Sequence, residues 1–212
     1  MTRTVTKPAA SKPAPKKADV TSQLTEQLKE LRLPTIRDTF QESARRAATE
    51  NLSHLAYLSE LATMECESRK EGRIKRLMTK SQLPSGKTWD SFDFTRLPLN
   101  VARQMETLRD GSFLDRRENI LIFGKPGSGK SHALAALSEQ LILQGRSLLF
   151  TTCSLLVQQL LIAKRDLRLP KMIKQMSSFE GLIIDDLGYV QQSREEMEVL
   201  FTLLAERYER GS

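Results

Sequence analysis

Eight consecutive residues restrict this chain more than any other feature. Gly124-Lys125-Pro126-Gly127-Ser128-Gly129-Lys130-Ser131 satisfies the spacing G-x-x-x-x-G-K-S/T. In that spacing the glycines let the backbone turn tightly, so that its N–H groups converge on phosphate oxygens. The apolar run Ile120-Leu121-Ile122-Phe123 precedes the loop and a helical pattern opens at Lys130, so the loop has a strand-to-helix setting. That setting argues against a bare glycine-rich turn. The new helix also aims the positive end of its dipole at the same anion. Lys130 is placed to reach the β- and γ-phosphates and the Ser131 hydroxyl to ligate Mg²⁺. The expected cradle is Gly124, Lys125, Pro126, Gly127, Ser128, Gly129, Lys130, Ser131 and His132.

A second run, Leu182-Ile183-Ile184-Asp185-Asp186, is a buried strand pattern ending in two carboxylates. Paired with a phosphate-binding loop, a strand-end acid of this kind is placed to hold Mg²⁺, a role that falls to Asp185. The acid that follows, Asp186, is the candidate general base for an attacking water. Neighbouring strand residues point to opposite faces, which would separate the two tasks. A turn or capping role for one of the aspartates is the alternative.

Between and around these runs strands alternate with helices. Asn119 to Phe123 reads as a strand, Lys130 to Gln144 as a helix ended by Gly145, and Ser147 to Thr152 as a strand. A helical stretch from Leu155 to Met176 breaks near Pro170, and a last amphipathic helix covers Arg194 to Arg210. This is the pattern of an α/β domain, a parallel sheet flanked by helices. Upstream, Thr21 to Lys80 is helical throughout: Pro34 stops a first helix, Ile36 to Ala48 forms a second, and Asn51 or Ser53 caps a third. Pro84-Ser85-Gly86 then breaks the chain. The expected organisation is a disordered basic tail at 1–19, a helical N-terminal domain at 20–84, and an α/β domain at 85–212.

Charge points to a partner. The chain carries 33 Lys and Arg against 26 Asp and Glu, a net charge of +7, and an excess of this size attracts polyanions. Arg69, Arg73, Arg76 and Lys80 share one helical face, while Lys164, Arg165, Arg168, Lys171 and Lys174 crowd a second region. Each set reads either as a solvated surface or as a face that tracks DNA phosphates. Two cysteines and two histidines without ligand spacing give no metal site of their own. No run approaches the ~20 apolar residues of a membrane span, and the expectation is a cytoplasmic protein.

These stretches carry a resemblance. Glu118-Asn119-Ile120 leading into GKPGSGKSH, LLFTT at 148–152, LIIDDLGY at 182–189, the closing SREEMEVLFTLLAERYERGS and the WDSFDF segment at 89–94 are similar to the DnaC/IstB type of AAA+ ATPase, most of all to IstB-type transposition helpers. The resemblance covers nearly everything after the tail. It implies a P-loop NTPase of AAA+ type that binds ATP and Mg²⁺, forms homo-oligomers through the ATP site, assembles on duplex DNA and serves a transposase. A replicative helicase loader is the alternative on the same fold, and a catalytically silent DNA-binding remnant a third reading. Two departures stand out. Asp186 occupies a place where many AAA+ proteins carry Glu, implying slow hydrolysis. The chain also stops at Gly211-Ser212, where the family continues into further strands. In the family's sheet order, 5-1-4-3-2, both neighbours of the loop-bearing strand are then wanting, so the expectation is a truncated product of low stability and weak hydrolysis.

Overall fold

The computed structural model describes residues 17–187 and 193–210. Most of the expected basic tail, residues 1–16, lies outside the described residues, as do 188–192 and 211–212. The chain divides into two compact units, Met1–Arg69 and Lys70–Ser212.

The first unit is helical. α1 (Lys17–Glu30) begins three residues inside the expected tail, α2 (Pro34–Thr49) starts at the proline that stops α1, and α3 (His54–Ser81) opens this unit's last segment. Ser53 caps α3, its hydroxyl accepting the Ala56 N–H at 3.1 Å. Leu28, Phe40 and Leu61 are buried together, with Leu33, Ile36 and Tyr57 packed against them. α2 has no side-chain cap of its own. Glu65, buried on α3, supplies one: its Oε2 accepts the N–H groups of Thr35 at 2.9 Å and Ile36 at 3.1 Å. A carboxylate there also meets the positive end of the α2 dipole. Burial raises the Glu65 pKa, but the Arg69 guanidinium and those backbone donors outweigh it and hold the carboxyl below its ordinary value.

The division into units falls inside α3 rather than at the expected break, Pro84-Ser85-Gly86. Nothing in residues 69–81 breaks the helix, and its last turns contribute Leu77 and Met78 to the core of the second unit.

That second unit is helix-rich α/β. β1 (Leu148–Thr152) and β2 (Gly181–Asp185) form a two-stranded parallel sheet, with Leu148 opposite Gly181 and Thr152 opposite Asp185. α4 (Leu99–Leu108) and α5 (Ser112–Asp115), neither foreseen in the sequence, precede α6 (Lys130–Leu143). α7 (Cys153–Arg165), α8 (Leu169–Met176) and α9 (Arg194–Arg210) complete the described elements. The break between α7 and α8 falls at 166–168, where Leu167 is left-handed with φ +56°.

Strand alternation divides the core into two layers. Ile183 packs on one side with Leu148 and the α6 residues Ala133, Ala136, Leu137 and Leu141. Leu182 and Ile184 pack on the other with Leu156, Leu160, Ile173, Val199 and Leu203. Arg207, one turn beyond Leu203, is buried too, and it donates to the carbonyls of Met176 at 2.9 Å and Phe179 at 3.2 Å. It thereby closes the end of α8 and the turn into β2. Desolvation lowers its pKa.

The expected strand at Asn119–Phe123 does not form. Those residues run without ladder bonds, with Leu121 72% and Phe123 87% exposed. A strand exists only through hydrogen bonds to a neighbour, and among the described residues none lies beside this run. The observed β1–β2 pair corresponds to strands 2 and 3 of the expected order, which are adjacent in it.

Candidate nucleotide site

The loop between the unladdered run and α6 has the geometry a phosphate requires. Gly127 and Gly129 are left-handed, with φ +75° and +89°, a region costly for a residue with a β-carbon. Gly124 is constrained differently, since a β-carbon there would stand 2.8 Å from Ser128 Oγ and force that hydroxyl to move. Ser128 N–H donates to the Lys125 carbonyl at 3.2 Å and closes the turn. The Lys130 ammonium folds back over the loop and donates to the carbonyls of Gly124 and Lys125, each at 3.0 Å. A phosphate oxygen can replace either carbonyl with little side-chain movement.

Gly129 is the N-cap of α6, and no side chain caps that helix. The N–H groups of its first turn therefore point outward without intrahelical acceptors, beside the helix's positive dipole end. The phosphate loop and the α6 terminus thus offer one ammonium and several backbone donors to a single anion.

Asp185 closes β2 and is buried, 8% exposed. Being two residues from Ile183 on the strand, it shares the face that packs against α6, the helix the loop opens. Ser131 lies in the first turn of that helix. Mg²⁺ takes oxygen ligands and usually keeps several waters. A serine hydroxyl and a carboxylate fit that preference, and a loop whose glycines carry no side chain leaves room for the phosphates that would share the ion. Among the described residues no group of three His, Cys, Asp or Glu could cage a metal; Ser131 and Asp185 would hold the ion only together with oxygens of the nucleotide and water.

Asp186 departs from the expected picture. It lies past the end of β2 in the left-handed region, φ +58°, and its N–H donates to Asp185 Oδ1 at 3.1 Å. The two acids are therefore not consecutive strand residues on opposite faces. A turn separates their directions instead, and the Asp186 side chain is exposed.

The His132 imidazole turns away from the loop. Its Nε2 stands 3.2 Å from the Thr88 carbonyl and 3.2 Å from Ser91 Oγ. Only its backbone is left for the cradle. The segment it touches, 88–94, carries a family likeness but no role in the sequence; its only signal there is aromatics interleaved with Ser and Asp, thirty residues ahead of the loop. Arg207 was missed altogether, because nothing in an amphipathic helix distinguishes a buried arginine from a solvated one.

The basic residues separate into two groups. Arg69 is committed internally, with Nε donating to Glu65 Oε1 at 2.8 Å and Nη2 to the Arg32 carbonyl. Arg73 donates to the Gly145 carbonyl at 3.0 Å, Lys164 pairs with Glu198 at 3.1 Å and Arg165 with Asp166 at 3.3 Å. Arg76 and Lys80 on α3, and Arg168, Lys171 and Lys174 at the start of and along α8, stand exposed. Among the described residues no helix is long and apolar enough to cross a membrane.

The family model for the IstB-like ATP binding protein matches residues 26–212. This chain belongs to the IstB-like ATP-binding family. Several relatives are ATP-binding proteins of insertion sequences. An insertion-sequence ATP-binding protein of Sinorhizobium fredii is 41% identical over 186 residues, which cover 87% of this chain and 62% of that protein. The corresponding ATP-binding protein of insertion sequence IS5376 from Geobacillus stearothermophilus is 35% identical over 84% of this chain and 71% of its own length. That of IS21 from Pseudomonas aeruginosa is 32% identical over 79% of this chain and 63% of its own length. This IstB-like chain thus spans under two thirds of the first and third of these relatives.

Proposed function

We propose that this IstB-like chain is an ATP-dependent helper of a transposition system, one that assembles on duplex DNA and recruits or activates a transposase. The observation that carries the nucleotide half is the Lys130 ammonium lying across a loop of left-handed glycines at an uncapped helix terminus. In this reading Lys130 and the loop amides hold the β- and γ-phosphates, Ser131 and Asp185 hold Mg²⁺, and Asp186 orients or deprotonates the attacking water. The ion, when bound, draws charge from the phosphates. Asp186 lies outside the strand and is one methylene shorter than Glu, which suits slow hydrolysis and a switch better than a motor.

The DNA half rests on charge. A helper that must accept many target sites needs contacts to phosphate rather than to base edges. Of the two basic sets, Arg76, Lys80, Arg168, Lys171 and Lys174 are exposed and available for it, whereas Arg69 is engaged within the first unit. The family association with insertion sequences favours this over a helicase loader. A homo-oligomer formed through the ATP site would couple nucleotide to assembly.

The test is equilibrium binding to random-sequence duplex and single-stranded DNA with ATP, ADP or no nucleotide, beside Lys130→Ala. Duplex binding that is tighter and cooperative with ATP, and loses that gain in Lys130→Ala, is the expected result. Preference for single strands, or indifference to nucleotide, would refute the helper reading.

A further inference from the structure

The segment 88–94 is a strap fastened to α6 at two points. At the first, His132 Nε2 meets the Thr88 carbonyl and the Ser91 hydroxyl, both at 3.2 Å. At the second, Glu139 Oε2 accepts the Trp89 N–H at 2.9 Å. Seven residues are close to two helical turns, so both fasteners stand on one side of α6. The strap holds its own shape: Thr88 Oγ1 and Ser91 Oγ are 2.9 Å apart, and each accepts the other residue's N–H, at 3.2 and 3.1 Å. Its aromatics touch in series, Trp89 tilted against Phe94 at 4.8 Å and Phe94 edge-to-face with Phe92 at 4.9 Å.

Phe92 carries the strap to the loop. Its ring meets His132 edge-on at 5.0 Å. A β-carbon on Gly129 would come within 3.7 Å of Phe92 Cε2. Gly129 is the left-handed residue on which the phosphate loop turns into α6. The aromatic edge therefore borders the space beside this turn that only a glycine leaves unfilled.

We infer that His132 is a positioning residue, latching the strap so that Phe92 braces the Gly129 turn and the loop amides converge before nucleotide arrives. The Thr88 carbonyl can only accept, so the latch needs a proton on Nε2. Ordering the loop in advance removes a cost that binding would otherwise bear. The inference rests on the nucleotide site proposed above, and Lys130→Ala separates its failure from failure of that site.

ATP affinity and the emission of Trp89, the sole tryptophan, are measured for the full chain and for variants. His132→Ala is expected to weaken ATP binding roughly tenfold, the loss of about one hydrogen bond's worth of preorganisation, and to red-shift Trp89 emission without nucleotide. His132→Gln, whose amide nitrogen can reach the position of Nε2, is expected to recover most of both signals. His132→Asn, one methylene shorter, is expected not to. Phe92→Leu leaves α6 unchanged and should weaken binding from the strap side, which decides the matter even if His132→Ala fails to fold. Wild-type affinity in His132→Ala or Phe92→Leu, with Lys130→Ala unable to bind ATP, overturns the latch alone. Equal losses in His132→Gln and His132→Ala also overturn it. Wild-type affinity in Lys130→Ala overturns the nucleotide site itself.

Discussion

Two short apolar runs, Ile120–Phe123 and Leu182–Ile184, are nearly interchangeable as sequence, and the fold treats them differently. The second is a strand, laddered to β1, with each side chain half-buried against one of two helix layers. The first has no ladder; its alternate residues Ile120 and Ile122 are half-buried while Leu121 and Phe123 face solvent. Both lead into the chemistry of one site. An apolar run supplies a tendency to extend, but only a neighbouring strand turns it into sheet, because the backbone groups need partners. The two halves of the proposed nucleotide site consequently rest on a laddered and an unladdered support, and the latch inferred at 88–94 would brace the second.

Three measurements would break or sharpen that contrast. Amide hydrogen exchange should separate the runs most widely, with residues 182–185 exchanging at least about a hundredfold more slowly than 121–123. Equal protection would mean that the first run finds a partner in solution. Truncation to alanine gives the next largest difference. Ile183→Ala should cost roughly 2–3 kcal/mol in denaturant unfolding, through lost packing on α6, while Leu121→Ala should stay within about 0.5 kcal/mol. A comparable loss at Leu121 would show that its exposed side is covered. The smallest effect concerns how the runs end. The first passes into left-handed glycines, the second into a left-handed aspartate, Asp186. Asp186→Gly should therefore leave stability unchanged or raise it by up to about 1 kcal/mol while ATP turnover falls. A destabilised variant would assign the carboxylate a structural role in place of the catalytic one.

The helices were the most legible part of the sequence. Pro34, Gly145 and Pro170 mark boundaries that the fold keeps within a few residues, and α9 spans the expected Arg194–Arg210. Those signals are local, so they survive without knowledge of what packs where. The phosphate loop was legible for the same reason: its glycine conformations and its lysine are properties of eight consecutive residues. The division inside α3 was not, since it depends on which core each turn of the helix joins. Likewise Arg69 sits on the same helical face as Arg76, and only tertiary structure spends its guanidinium on Glu65 and the Arg32 carbonyl.

The sequence by itself determined the loop, the helix that follows it, the acid at the end of β2 and the excess of positive charge. Each follows from spacing, φ preference or formal charge within a short window. Tertiary structure alone decided which apolar run became a strand, which cations remained free, that a left-handed turn sets Asp186 apart from Asp185, and that His132 faces a strap more than thirty residues upstream. Those outcomes turn on hydrogen-bond partners brought together from distant positions, and such partners leave no mark on the residues that wait for them.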